Sequence, residues 1–307
     1  MDEGLGGQPH FSHFLPAVLG RIGEFLADMT SSSRRHMEVL HPDSVAEALL
    51  LAARGDARLV AGGTALQLEW AQGTPQPGLL VDLGRIRSLR GVKSEKSYIC
   101  AGALTPLVVL QRDPRIAGRL PLLSAAARVT AGSAVRYLAT IGGNVAGRKG
   151  CLLPALLALG AKVEVATAAV RAILPLEQWL AAPPEAASVI EALVIPVPAE
   201  PIRWAFRKGG LRAAFTPSVI NVAGLKEIEG DRVSAGRLAV GGGVVSPMRV
   251  RGAEALITGR PLGATTGPRY IWRCLQKPPL RMTPSAPDAI AASSQRTRLC
   301  MLSAESC

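Results

Sequence analysis

The sequence predicts a globular protein of the mixed class, α/β or α+β, on three observations. Hydrophobic residues make up 48% of the 307, enough to build a core, while aromatics supply only 4%, so that core must be packed from Ala, Leu, Val and Gly. Over roughly the first two thirds, apolar runs with helical spacing alternate with short extended runs. Beyond about Glu200, extended runs follow one another with no helix between them.

His41-Pro42-Asp43-Ser44 precedes VAEALLLAARG, a run with helical spacing. Ser44 and Glu47 form a capping box at its start, and Gly55 is placed to end it. A strand is expected over Arg58 to Val60. In AGGTALQLEWAQG, Thr64 and Gln67 read as a second capping box, which puts a glycine pair just ahead of a helix. The next strand is Gly78 to Asp82, and strand, helix and strand together call for parallel pairing.

Tyr98 to Gly102 reads as another strand, after which Thr105-Pro106 supplies an N-cap and first helical residue for PLVVLQRD. Pro121 to Thr130 reads as helix, Ala139 to Val145 as a strand entering a glycine turn, and Leu152 to Leu159 as a short buried helix. Lys162 to Ala166 and Val170 to Leu174 form a hairpin. Pro175 opens a helix through Trp179 that Pro183-Pro184 ends, and Val189 to Ile195 is a strand. Past a boundary placed near Glu200, strands are expected at Trp204 to Lys208, Pro217 to Ile228 and Val233 to Gly242, with Glu229-Gly230-Asp231-Arg232 as a hairpin loop. Such a succession implies an antiparallel sheet. Gly241-Gly242-Gly243 reads as a turn before Ser246-Pro247, and Arg249 to Gly259 as a helix. No internal repeat of fixed period is visible.

Composition excludes several classes. The longest uncharged apolar stretch, Cys151 to Ala161, contains a proline and is far shorter than the roughly 20 residues a membrane-spanning helix needs. The first 37 residues carry Asp2, Glu3, Glu24 and Asp28 without an early basic cluster, a poor export signal, so a cytoplasmic location is expected. The five cysteines have no CxxC or CxxxC spacing, which argues against a metal site or a disulfide framework. A net charge of +12 is compatible with nucleic acid or an acidic partner, yet the arginines read as dispersed and lack interleaved aromatics. Residues 1–37 are read as a leader, with Met29 or Met37 as the natural start, and 263–307 as an irregular, frameshifted tail.

Two glycine pairs carry the chemistry: Ala61-Gly62-Gly63-Thr64-Ala65 and Thr140-Ile141-Gly142-Gly143-Asn144. Without a Cβ, backbone amides can approach an anion closely, and amides next to a helix N-terminus bind a diphosphate with no cationic side chain. Thr64, Thr140 and Asn144 would add short polar contacts. A single such pair is more simply a tight turn. Two of them, each after a strand-like run, point to a phosphate-bearing ligand.

The runs HPDSVAEALLLAARGDARLVAGGTALQLEW, LLVDLGRIRSLRGV, AGALTPL, RYLATIGGNVA and LLPALLALGAKVEV resemble the FAD-binding domain of the flavoprotein (medium) subunits of molybdenum hydroxylases, the xanthine and carbon monoxide dehydrogenase family. LAVGGGVVSPMRVRGAEALITGRPL resembles their C-terminal domain, and the likeness spans about Glu38 to Leu262. The resemblance implies a PCMH-type FAD-binding domain of two α/β subdomains, about 38–92 and 93–200. A smaller C-terminal domain of antiparallel sheet plus helix, 201–262, would follow.

It also implies FAD as cofactor. Arg58, Leu59, Val60, Ala61, Gly62, Gly63, Thr64 and Ala65 would wrap its diphosphate, and Ala139, Thr140, Ile141, Gly142, Gly143 and Asn144 would hold it from the other side. Thr105 and Arg136 would line the same cleft, Arg136 as a phosphate partner or as a solvated surface arginine, and Lys208 would approach the flavin. The sequence departs from the family at Arg148-Lys149, where relatives usually carry an acidic residue. It departs again at Arg212-Ala213-Ala214-Phe215, where many place an aspartate.

The implied role is electron transfer: substrate oxidised at a molybdopterin on a large subunit, electrons passed through a [2Fe-2S] small subunit to FAD, then to NAD or another acceptor. No catalytic acid, base or nucleophile is required. Two alternatives are a self-contained flavin oxidase, for which Cys151 is the nearest candidate attachment residue, and a degenerate assembly subunit without FAD.

Overall fold

A computed structural model describes residues 37–182, 187–198, 201–210, 218–243 and 245–262. The described residues from Val39 onward belong to one compact unit, which carries the fold. The expectations for the leader, the tail, Pro183-Pro184, Glu200 and Arg212 to Phe215 lie outside the described residues.

Among the described residues there are three sheets, and the first has strand order β1-β3-β2, from β1 (Glu38–Leu40), β2 (Ala57–Val60) and β3 (Leu79–Asp82). β2 and β3 are parallel, in register from Ala57 opposite Leu79 to Val60 opposite Asp82. α1 (Val45–Ala52) buries Val45, Ala48 and Leu49 over this sheet. Its N-terminus is satisfied twice: Ser44 Oγ accepts from Glu47 N at 3.1 Å, and the Glu47 carboxylate accepts from Asp43 N at 2.9 Å. α2 (Thr64–Ala71) makes the crossover from β2 to β3.

Two 3-10 turns, Leu83–Arg85 and Arg87–Leu89, lead to a five-stranded sheet of order β4-β5-β8-β6-β7. Its strands are β4 (Val92–Ser94), β5 (Tyr98–Gly102), β6 (Lys162–Thr167), β7 (Arg171–Pro175) and β8 (Ser188–Pro196), and every pairing is antiparallel. Between β5 and β6 lie six short helices: α3 (Leu107–Arg112), α4 (Pro114–Arg119), α5 (Pro121–Val129), α6 (Ser133–Leu138), α7 (Ile141–Ala146) and α8 (Leu153–Ala158). α9 (Leu176–Ala181) follows β7. Asp113 closes α3 and caps α4, its carboxylate accepting from Arg115 N at 2.9 Å, which is why two helices rather than one occupy 107–119.

The third sheet, β12-β11-β10-β9, is antiparallel throughout, with β9 (Ile202–Gly210), β10 (Ser218–Glu229), β11 (Arg232–Gly242) and β12 (Val245–Arg249). α10 (Arg251–Ile257) packs on β11. Buried Glu254 clasps it there, accepting from Arg249 Nε and Nη2 at 2.8 Å each and from Leu238 N at 2.9 Å. The largest core cluster joins this sheet to the middle one: Phe206, Ala223, Leu225 and Ala239 share it with Leu107, Leu123, Ile141 and Leu156.

Three local expectations are corrected. The run Ala139 to Val145 is not a strand: it makes the helix α7, nucleated by Thr140 Oγ1 accepting from Gly143 N at 3.1 Å, and a lone bridge from Thr140 to Pro106 is all that stays extended. Thr64 does not cap α2, because Gly63 takes the N-cap position with left-handed backbone. Thr105 does not cap α3, because its hydroxyl donates to Gly91 O at 3.0 Å and the helix starts after Pro106. Of the glycine run expected as a turn before Ser246-Pro247, Gly241 and Gly242 end β11 and Gly243 is in the turn, and Ser246-Pro247 lies inside β12, an edge strand, where a missing N–H costs no ladder bond.

Candidate functional site

β2 delivers the chain to Ala61 and Gly62, and Gly63, at φ 67° and ψ −7°, turns it into α2. No side chain caps that helix. Among the described residues, the amides of Gly62 and Gly63 find no acceptor, and the first internal bond runs from Gln67 N to Gly63 O at 3.0 Å. The turn thus offers a row of free N–H groups at the positive end of a helix dipole, at the C-terminal edge of a parallel strand pair.

The second glycine pair comes to the first. A Cβ on Gly62 would collide with the carbonyl oxygen of Leu138, the last residue of α6, so the backbone of the first loop rests on the chain just ahead of Thr140. Only glycine permits that approach.

The amides of the second loop are nevertheless spent inside the protein. Ile141 N donates to Thr105 O at 3.0 Å, Gly142 N to Ala103 O at 2.8 Å, Gly143 N to Thr140 Oγ1 at 3.1 Å and Asn144 N to Thr140 O at 3.0 Å. Leu107 N in turn donates to Ala139 O at 2.9 Å. Gly142 is required by packing: a Cβ there would sit 2.6 Å from that of Ala103. Asn144 Oδ1 accepts from Leu152 N at 3.0 Å and so holds the loop that follows α7.

The remaining candidates divide. Arg58 pairs with Glu69 of α2 at 2.6 Å, bracing strand to helix, while Leu59 packs against the core beneath the first sheet. Val60 is the last residue of β2, and Ala65 lies exposed in the first turn of α2. Arg136 is turned back on its own segment, Nη1 donating to Ala131 O at 2.7 Å and to Thr130 O at 3.2 Å. Thr105 is buried under Gly91. Lys208 reaches from β9 to Val129 O, the end of α5, at 3.3 Å.

Of α6, sequence reasoning singled out Arg136 alone. None of its residues is buried, although it carries Val135, Tyr137 and Leu138, the last two 55% and 62% exposed. An apolar helix left bare beside a row of free amides is what a ligand with a diphosphate and a flat ring system would cover. The signal available was SAVRYL, a short apolar run directly ahead of the second glycine motif.

Residues 35–198, just over half the chain, match the family model for the FAD binding domain in molybdopterin dehydrogenase. The chain belongs to that family. FAD is therefore the cofactor against which the site is read, and the free amides of the first loop with the bare face of α6 fit it. The chain is 29% identical over 226 residues to the nicotine 6-hydroxylase medium subunit of Paenarthrobacter nicotinovorans, covering 72% of this chain and 80% of that protein. It is 42% identical over 118 residues to the carbon monoxide dehydrogenase medium chain of Hydrogenophaga pseudoflava, 38% of this chain and 41% of that one. The solved carbon monoxide dehydrogenase from Hydrogenophaga pseudoflava that lacks the Mo-pyranopterin moiety superposes with a TM-score of 0.74 at 26% identity, over 85% of this chain and 94% of that chain.

Where the family pattern leads one to expect a carboxylate, Arg148 sits at φ 53° with its guanidinium carbon 4.9 Å from the Trp179 ring centroid. The cation is held by an aromatic face rather than by an acid. Cys151 Sγ lies 3.1 Å from Ser218 Oγ, a contact between the loop after α7 and the first residue of β10. Cys100, on β5, is pushed up in pKa by burial first and by Glu164 second, which keeps it a neutral thiol. Among the described residues no cluster of His, Cys, Asp or Glu could hold a metal ion, and no helix is long and apolar enough to cross a membrane.

Proposed function

We propose that this chain is the FAD-carrying electron-transfer subunit of a cytoplasmic molybdopterin-dependent hydroxylase or dehydrogenase. Its partners would be a large molybdopterin-binding subunit and a small subunit with [2Fe-2S] clusters, and the final acceptor NAD or another oxidant. The observation that carries the proposal is the contact of Gly62 with the Leu138 carbonyl, which brings two glycine motifs of distant sequence to one cleft.

When bound, FAD supplies the redox chemistry, and the protein supplies position and electrostatics. Residues Arg58 to Ala65 form the diphosphate cradle, with Gly62, Gly63 and Thr64 donating their N–H groups. Ala139 to Asn144 wall the cleft through their surface rather than their amides. Lys208 brings a positive charge from β9, and Thr105 and Arg136 act by holding the loops around the cleft. We read 38–200 as the FAD-binding part, in two subdomains, and 201–262 as a C-terminal domain.

One observation favours a second reading, a subunit that assembles without flavin: the amides of the second loop are occupied, and Arg148-Lys149 stand in place of an acid. The absorption spectrum of the complex purified with its neighbouring subunits separates the two. Flavin bands at one FAD per chain are expected, lost on Gly62→Val with the assembly retained. A colourless assembly of normal composition would overturn the FAD role and leave only the structural one.

A further inference from the structure

The three arginines that follow the first sheet are arranged as a surface, although the sequence scatters them between apolar residues. In the two 3-10 turns after β3, Leu83, Ile86 and Leu89 recur at every third position and are buried, Ile86 and Leu89 to 1% exposure. That period turns Arg85, Arg87 and Arg90 out to solvent. Together with Gly84 and Asp43 they line an open groove of about 680 Å³.

None of the three guanidinium groups makes an ion pair with a described residue. The carboxylate closest in sequence, Asp82, is taken by His41 Nδ1 at 3.1 Å and by Gly84 N at 2.8 Å. Arg90 Nη2 donates to Gly84 O at 2.9 Å, which braces the loop without neutralising it. Like charges crowded on successive turns with no acid between them oppose folding, so the fold holds this cluster at a cost that local structure does not repay.

We infer that this groove docks the acidic face of a partner protein. The groove lies open to solvent, which suits a protein surface rather than an enclosed small molecule. No aromatic residue lies among residues 83–91 to stack a base. Asp43 lines the same groove and adds a negative charge to it, which suits a mixed-charge protein face and repels a uniform polyanion. The groove is lined by residues other than those assigned to the FAD cleft, and the inference stands whether or not flavin is bound.

The test uses the full chain and a fluorescein-labelled acidic peptide of mixed charge, three repeats of Glu-Glu-Lys-Glu, followed by fluorescence anisotropy at low salt. The triple variant Arg85→Gln, Arg87→Gln, Arg90→Gln should bind about tenfold more weakly. The control Arg128→Gln, Lys162→Gln, Arg203→Gln, with the same net charge, should stay within about twofold of the parent. Asp43→Asn should tighten binding. Arg85→Gln with Arg87→Gln, which leaves the Arg90 brace in place, should give an intermediate loss and guards against misfolding of the triple variant. Equal losses in the groove and control variants would overturn the inference, as would an unchanged triple variant. It fails equally if a duplex DNA oligomer or inorganic pyrophosphate binds more tightly than the peptide with the same arginine dependence.

Discussion

The two glycine pairs look alike in sequence and do opposite things. Gly62-Gly63 leaves its amides free, and the left-handed Gly63 aims the chain into a helix with no cap. Gly142-Gly143 has every amide bonded within the protein, to Ala103, Thr105 and the Thr140 hydroxyl neighbourhood, and its glycine is there so that α7 can lie against the chain after β5. One loop is a binding device and the other is a packing device that presents the first with a wall. A glycine pair therefore says that backbone comes close to something, and only the fate of its amides says whether that something is a ligand.

Substitution can break this contrast or sharpen it. Gly62→Ala drives a methyl into the Leu138 carbonyl, so it should show the largest effect: a loss of about 1–3 kcal/mol in stability and a fall in bound FAD beyond what the lost stability accounts for, read from thermal melts and the flavin-to-protein absorbance ratio. Gly142→Ala should destabilise by a comparable ~1–3 kcal/mol against Ala103, with flavin content following the folded fraction. If Gly142→Ala strips FAD from fully folded protein, the division between the loops is wrong.

Gly63→Ala has room, since the nearest atom to its Cβ is Val60 Cγ2 at 3.8 Å, and pays only the left-handed backbone penalty of about 1–2 kcal/mol. Its FAD content should fall less than that of Gly62→Ala. Thr140→Val removes the cap of α7 and should cost about 1 kcal/mol in a denaturant titration while leaving the flavin ratio of the folded protein unchanged.

Sequence pattern located most of the strands and the parallel unit around the first glycine pair, because alternation and turn residues there are strong. The Ser44 capping box also held, down to the reciprocal bond from Glu47. What escaped was decided by contacts distant in the chain. Ala139 to Val145 reads as a strand entering a glycine turn, yet the carbonyls of Ala103 and Thr105 draw the amides of Ile141 and Gly142 into a helical turn. Arg136 reads as a phosphate partner or as a solvated surface arginine, and it is instead bonded to the carbonyls of Thr130 and Ala131. The bare face of α6 was invisible because a six-residue helix has too few turns to display a period. Arg85, Arg87 and Arg90 read as scattered because two three-residue 3-10 turns are too short to display their period in sequence.

Ala223, Leu225 and Ala239 enter the same apolar mass as Leu107 and Ile141. Cutting the gene after codon 198 to obtain a minimal flavin module would strip one side of that mass bare. Such a fragment should come out of the cell in inclusion bodies, whereas a chain retaining everything through Leu262 keeps its interior sealed.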